Sequence, residues 1–254
     1  MALSAPADPA LAGFAVEVLD EVDSTNTELM RRARAGRFEP VLLAARRQTA
    51  GRGRLGRQWA SAQGDSLTFS IGRVLAPADW SGLSLAVGVS LAENLHPRVR
   101  LKWPNDLWVD DRKLGGILIE TATFGKAEGG GRYAVVGVGL NIAPRDATGL
   151  STPPAALVEL QPAWDASETL RRVAGPLAET LAAFEASGFA PFRSRFQARD
   201  ALHERRVTLS DGTEGTARGV GEDGALLVHT ASGMHAVNSA EVSVRPARGF
   251  PLDT

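Results

Sequence analysis

The sequence predicts an α+β protein: a mixed-sheet domain over residues 1–203, followed by a small β-barrel-like module over 204–254. Three observations carry that prediction. Over the first two hundred residues, segments with period-two apolar alternation are interspersed with segments of helical spacing. At 254 residues the chain is at the upper end for one domain, so a large domain with a small appendage is expected. Beyond Leu202, short apolar runs are separated by the turn pairs Asp211-Gly212, Asp223-Gly224 and Ser232-Gly233, the punctuation of an all-β unit.

The elements follow in order. Phe14, Val16 and Val18 alternate with Ala15 and Glu17 as a strand. Thr25 and Glu28 form a T-x-x-E capping box that predicts a helix with the stripe Leu29, Met30 and Ala33, closed by Gly36. Residues 41–45 read as a buried strand, and Leu67, Phe69 and Ile71 alternate as another. Residues 83–95 form an apolar helix. Val99, Leu101 and Trp103 predict a strand with Arg100 and Lys102 on its other face, stopped by Pro104, which offers no amide to a ladder. Residues 107–109 and 114–120 read as strands joined at Asp110-Asp111-Arg112, and 133–142 as one more after the tip Gly129-Gly130-Gly131. The proline-rich stretch 144–162 is expected to loop over the surface. A helix over 166–187 has Asp165 and Glu168 as a capping box and Gly175-Pro176 as a kink point. Strands at 225–229 and 242–244 belong to the last module.

Composition narrows the function. Hydrophobic residues make up 44% and charged residues 22%, which is globular rather than disordered. With 28 Lys+Arg against 29 Asp+Glu the formal charge is −1, which argues against wholesale nucleic-acid binding and makes any electrostatic function local. There are no cysteines, which excludes disulfides, thiolate metal sites and cysteine nucleophiles and suits a reducing compartment. The start lacks a signal-peptide pattern and no apolar run approaches the roughly 18–20 residues that span a bilayer, so a cytoplasmic protein without membrane contact is expected. His96, His203, His229 and His235 have no metal-ligand spacing.

The segment Gly51-Arg52-Gly53-Arg54-Leu55-Gly56-Arg57 formally satisfies G-x-G-x-x-G. A dinucleotide fingerprint, however, opens a helix packed closely on a sheet and needs a strand-ending acid about twenty residues on. Arg52, Arg54 and Leu55 suit that contact poorly, and Asp65 and Asp79 stand in the wrong settings. The segment also lacks the Gly-Lys-Ser/Thr ending of a Walker loop. As a loop it makes better physical sense. Glycines bring backbone amides close to a ligand, arginines add planar donors for phosphate or carboxylate, and Trp59 offers a flat face. The alternative is a solvated basic loop.

Further features bear on that choice. Lys102-Trp103-Pro104-Asn105-Asp106 ends a strand, and Lys113-Leu114-Gly115-Gly116 follows. By alternation Lys113 and Gly115 share a face, placing a cation beside a bare strip of strand where a ligand carboxylate can lie. Asp23-Ser24-Thr25-Asn26 caps a helix and presents hydroxyls and an amide at its start. Gly137-Val138-Gly139-Leu140-Asn141 ends a strand on a polar side chain.

Taken together and in this order, Asp23 to Asn26, Gln48-Thr49-Ala50-Gly51 through Trp59, Lys102 to Asp106, Lys113 to Ile117 and Gly137 to Ile142 resemble the biotin–protein ligases. The arginine loop and the Lys-Trp-Pro-Asn-Asp segment are the specific matches, and the resemblance spans about residues 14–246. It implies a catalytic core similar to class II aminoacyl-tRNA synthetases and lipoate ligases, with a C-terminal SH3-like barrel. It also implies ATP and biotin as substrates, with Mg2+ accompanying ATP through ligands the sequence leaves unknown. The implied partner is the biotin carboxyl carrier domain of acetyl-CoA carboxylase or a related carboxylase, met by a monomer or homodimer. By position, Ser24, Thr25, Asn26 and Gln48 would address the ureido ring of biotin. The backbone of Arg52 and Gly53 would cover it, with Gly115 along its path. Arg54 and Lys113 would be catalytic at the carboxylate–phosphate junction, and Arg57, Trp59, Lys102, Asn105, Asp106 and Asn141 would serve ATP. Bifunctional members of the family carry an N-terminal DNA-reading domain, whereas about a dozen residues precede the first strand here, so no DNA binding and no repressor role are expected.

Overall fold

Period-two alternation builds the first sheet. The computed structural model describes residues 3–123, 131–150, 152–238 and 244–246. Seven strands, β1 (Ala15–Val22), β2 (Val41–Gln48), β3 (Ser66–Leu75), β4 (Arg100–Lys102), β5 (Asp106–Val109), β6 (Arg112–Ala122) and β7 (Arg132–Asn141), form a sheet of order β1-β2-β3-β7-β6-β5-β4. Only β1 and β2 run parallel, so the sheet is mixed. Helix α1 (Thr25–Arg34) makes the crossover that a parallel pair requires.

Alternate residues of a strand serve opposite faces, and the two cores obey this. On β2, Val41 and Leu43 join Leu29, Met30 and Ala33 of α1, while Leu42 and Ala44 enter the main core. That core is closed by α2 (Leu83–Leu95) and α3 (Ala166–Ser187), which pack on each other. Full burial of side chains such as Leu29 and Leu43 contributes about 1.5–3 kcal/mol each. Asp165 caps α3 by accepting from the Glu168 amide, as its sequence predicts. The helix runs on through Pro176, and the missing side chain of Gly175 leaves room for the Asp8 carboxylate.

Several expectations are corrected. Ser24, not Thr25, is the N-cap of α1, because the Thr25 hydroxyl is turned inward toward Gln48. The strand expected at 99–103 contracts to Arg100–Lys102, and fully buried Trp103 instead donates its Nε1–H to the Gly224 carbonyl at 3.0 Å. The proline-rich stretch does not stay on the surface: Ala155, Ala156 and Leu157 are buried, and Lys113 exchanges backbone hydrogen bonds with Pro153 and Ala155 at 2.8 and 2.9 Å. Helix α4 (Ala190–Gln197) has no counterpart in the sequence reading. Its apolar face is only Phe192 and Phe196, set between arginines, and it forms by packing against α2.

A second sheet, all antiparallel, comprises β8 (Arg206–Leu209), β9 (Glu214–Val220), β10 (Leu226–Thr230), β11 (Gly233–Val237) and β12 (Val244–Pro246) in the order β11-β10-β9-β8-β12. Gly212, Gly224 and Gly233 all adopt positive φ, as their turn pairs require. Gly129, Gly130, Ser239 to Glu241, and residues 242–243 of the strand expected at 242–244 lie outside the described residues. Among the described residues no helix is long and apolar enough to cross a membrane.

Candidate functional site

The site forms where α1 stops covering its face of the sheet. Along β7 this face carries Tyr133 and Val135, packed with α1, and then Gly137, Gly139 and Asn141. Across the ladder, Ser70, Thr68 and Ser66 of β3 pair with those three in turn, while Leu118 and Gly116 of β6 pair with the two glycines. The polar residues of β3 alternate with Leu67, Phe69 and Ile71, which face the main core. The floor is therefore small and polar, and two side chains fill the glycine gaps. A methyl group on Gly137 would lie 2.8 Å from Asn26 Cγ, and one on Gly139 would lie 2.5 Å from Trp59 Cε2.

Above this floor is a cavity of about 690 Å3. Every site residue proposed from the sequence lines it except Gly115. The exception has a geometric cause. A bulge between the Leu107–Gly115 and Trp108–Lys113 pairs breaks the alternation of β6. Gly115 consequently faces the neighbouring strand, where a Cβ would sit 2.6 Å from the Gly139 carbonyl oxygen. Gly116 takes the position beside Lys113, with a built Cβ 3.4 Å from its Nζ.

One end of the cavity is polar and largely buried. Gln48 Oε1 accepts from the Thr25 amide at 2.7 Å and from its hydroxyl at 3.1 Å. The Ser70 hydroxyl lies 2.7 Å from both Thr25 Oγ1 and Asn26 Oδ1. Asn26 Nδ2 donates to the Leu118 carbonyl at 3.1 Å and to Glu120 at 3.0 Å. Ser24 caps α1 at the same end.

The opposite end is basic. Lys113 Nζ is 2.6 Å from Asp106 Oδ1, and Lys102 Nζ is 4.0 Å from Asp106 Oδ2 while lying over the Trp108 ring at 5.4 Å. Arg54 reaches into this corner and donates to Asn105 Oδ1 at 3.3 Å, while Asn105 Nδ2 is anchored on the Ile117 carbonyl at 2.8 Å. Burial lowers the Arg54 pKa from its ordinary value; attraction to Asp106 opposes this and repulsion from Arg57 adds to it. A desolvated guanidinium of this kind gains from an anionic partner. Among the described residues no three His, Cys, Asp or Glu side chains meet as a metal site. Of the two lining carboxylates, Asp106 is engaged by both ammonium groups and Asp111 by Arg205. These residues do not fit a resident metal held by protein ligands alone.

The arginine segment bridges the two ends. Arg52 pairs with Gln58 across a narrow loop, residues 54–56 make one 3-10 turn, and no helix opens at Gly56, which removes the dinucleotide-fold reading. Trp59 closes the loop over Gly139, and Arg145 stacks on its indole at 5.6 Å. Arg145 also donates to Asn141 Oδ1 at 3.1 Å. The Asn141 amide ties β6 to the proline-rich segment through the carbonyls of Lys113 and Ala155.

Sequence reasoning missed Ser70, Thr68, Trp108, Arg145 and Arg205, all of which lie at the site. For β3 a signal existed: serine and threonine alternate there with large apolar residues. Arg145 and Arg205 gave none, because each reaches the cavity from a loop whose path is set by tertiary packing.

Residues 18–141 match the biotin/lipoate A/B protein ligase family, and residues 202–245 match the biotin protein ligase C terminal domain. The bifunctional ligase/repressor BirA of Escherichia coli (strain K12) is 36% identical over 249 residues, covering 93% of this chain and 76% of that protein. A biotin–[acetyl-CoA-carboxylase] ligase of Paracoccus denitrificans is 32% identical over 240 residues, covering 89% and 98%. The solved biotin protein ligase from Aquifex aeolicus in complex with biotin and ATP is similar at a TM-score of 0.75 and 31% identity, covering 92% of this chain and 99% of that one.

Proposed function

The chain belongs to the biotin–protein ligase family, and from that premise we propose that it activates biotin with ATP as biotinyl-5′-AMP and transfers the biotinyl group to a lysine of a biotin carboxyl carrier domain. The observation that carries the proposal is the polarity of the cavity. Seven of its lining residues are Lys or Arg and two are Asp, in a chain whose overall charge is −1. Lys102, Lys113 and Arg54 gather around Asp106 and Asn105, at the other end from the buried polar corner of Thr25, Asn26 and Gln48, while Arg52 beside that corner is paired with Glu120.

A ureido ring, with two N–H donors and one carbonyl, suits the corner made by Ser24, Thr25, Asn26, Gln48 and Ser70. The dithiolane of lipoate brings no such groups and would leave these side chains poorly satisfied. With the ring in that corner, the carboxylate at the end of the chain points toward Lys113 and Arg54. One carboxylate oxygen attacks the α-phosphorus of ATP, the bond to the β-phosphate oxygen breaks, and pyrophosphate leaves. Two anions must approach each other for this, so preorganised cations supply the main stabilisation, which is typically worth about 10²–10³ in rate per group. Lys113 is the first candidate for that role and Arg54 the second, with Lys102, Asn105, Arg57, Trp59 and Asn141 on the nucleotide. In the second step an unprotonated acceptor lysine attacks the acyl carbon. The acyl–phosphate bond breaks, AMP leaves, and the amine releases a proton to solvent. Magnesium belongs to this proposal as a companion of the ATP phosphates, and no step requires a protein-held metal.

The remaining finer points are of the same kind. The SH3-like character of the second sheet and a domain boundary near residue 203 fit the change to a separate antiparallel sheet at Arg206, and the proposed similarity to class II synthetase and lipoate ligase cores concerns the mixed seven-stranded sheet. The absence of a repressor role is supported by the near-neutral charge, and a sequence-specific operator complex in a gel-shift assay would overturn it. The proposal is tested by pyrophosphate exchange and by transfer to a purified carrier domain with ATP and Mg2+. Biotin-dependent exchange and transfer are expected, and exchange supported by lipoate alone would refute it.

A further inference from the structure

Glu120 lies on β6 beyond the residues assigned to either substrate, yet it touches two parts of the site at once. Its Oε2 accepts from Asn26 Nδ2 at 3.0 Å, and its Oε1 is ion-paired with the Arg52 guanidinium. Arg52 also donates to Thr27 Oγ1 at 3.2 Å, so the loop is held against α1 as well as β6. The arrangement is specific to a carboxylate. Asn26 is buried and already bonded to Ser70 and to the Leu118 carbonyl, and a carboxylate offers one oxygen to its amide and the other, with its charge, to the guanidinium. An amide at position 120 has one acceptor oxygen for two donors.

Resting on the biotin-ligase reading above, we propose that Glu120 is a positioning residue that couples the arginine loop to the floor of the ureido corner. Asn26 takes its orientation from Glu120, and the same carboxylate draws Arg52 down, so an ordered floor and a closed loop favour each other. A ligand that orders Asn26 thereby stabilises the cover placed over itself. The pair is partly solvated, with side-chain exposures of 45% for Arg52 and 22% for Glu120, so the coupling is modest and sensitive to salt.

The test uses the whole enzyme and Glu120→Gln. The variant is expected to raise the biotin KM about 3- to 10-fold, in the range of a partly exposed charged pair. The ATP KM and the thermal midpoint should stay near the wild-type values. Trypsin, which cuts after Arg52, Arg54 and Arg57, should cleave the loop several-fold faster in the variant. Added salt should accelerate cleavage of the wild type and leave the variant little changed. Combining Glu120→Gln with Arg52→Ala should give less than the product of the two single effects. A folded Glu120→Gln protein with wild-type biotin KM and wild-type loop cleavage overturns the proposal, as does an equal rise in both KM values. Failure of the wild type to catalyse biotin-dependent exchange would instead refute the biotin-ligase reading, and the proteolysis and salt measurements would still report on the latch.

Discussion

Gly137→Ala tests how the floor of the site is built. The added methyl would overlap the Asn26 side chain, with Cγ at 2.8 Å and Nδ2 at 3.1 Å, so Asn26 must leave its position. Asn26 then loses its bonds to Ser70 (2.7 Å), the Leu118 carbonyl (3.1 Å) and Glu120 (3.0 Å). At about 0.5–1.5 kcal/mol net for each, the expected destabilisation is about 3 kcal/mol, or a fall in Tm of roughly 6–12 °C. Biotin affinity should fall with it, because the displaced amide belongs to the polar corner. Gly139→Ala is the internal control. Its methyl would meet Trp59 Cε2 at 2.5 Å, but Trp59 Nε1 has no hydrogen-bond partner among the described residues, and residues 55–58 just before it are exposed. That variant should lose no more than about 1 kcal/mol of stability while raising the ATP KM. Thermal melting with calorimetric biotin titration separates the two. A Gly137→Ala protein that melts within about 2 °C of wild type and binds biotin normally would refute this account of the floor.

Three further outcomes are expected. Lys113→Ala should reduce biotin-dependent pyrophosphate exchange about 10²- to 10³-fold with little change in melting, since its ammonium is partly exposed; a wild-type exchange rate would remove it from the chemistry. Trp103→Phe removes the 3.0 Å bond to the Gly224 carbonyl that ties the two sheets together. It should cost about 1–3 kcal/mol in chemical denaturation, and an unchanged midpoint would show that the tie contributes nothing. Tyr133 is the sole tyrosine, so tyrosinate absorbance reports on it alone. Burial pushes its pKa up to about 12, with Arg32 opposing and Glu39 and Glu17 adding. The folded-state value is the raised one, so its contribution to stability is complete below pH 10.0 and is lost as pH rises toward 12. Half-titration near pH 10 in the folded protein would contradict the burial.

What the sequence by itself determined is what local chemistry dictates. Alternation placed most strands of the first sheet, a helical apolar stripe placed α1, an apolar run placed α2, the Asp165 cap placed α3, and glycine turn pairs marked the second sheet. The clustering of arginine, lysine and glycine in short segments identified five of the seven Lys and Arg side chains that line the cavity, since those residue types in that order serve anionic ligands better than they serve a core. Only the tertiary structure decided what depends on distance along the chain. The bulge in β6 exchanged Gly115 for Gly116 beside Lys113, because alternation fails wherever one strand gains a residue on its partner. The glycines of β7 acquired meaning only when Asn26 and Trp59, remote in sequence, proved to occupy the space they leave. Ser70 and Glu120 share this origin: each meets Asn26, which folding alone brings within about 3 Å of them.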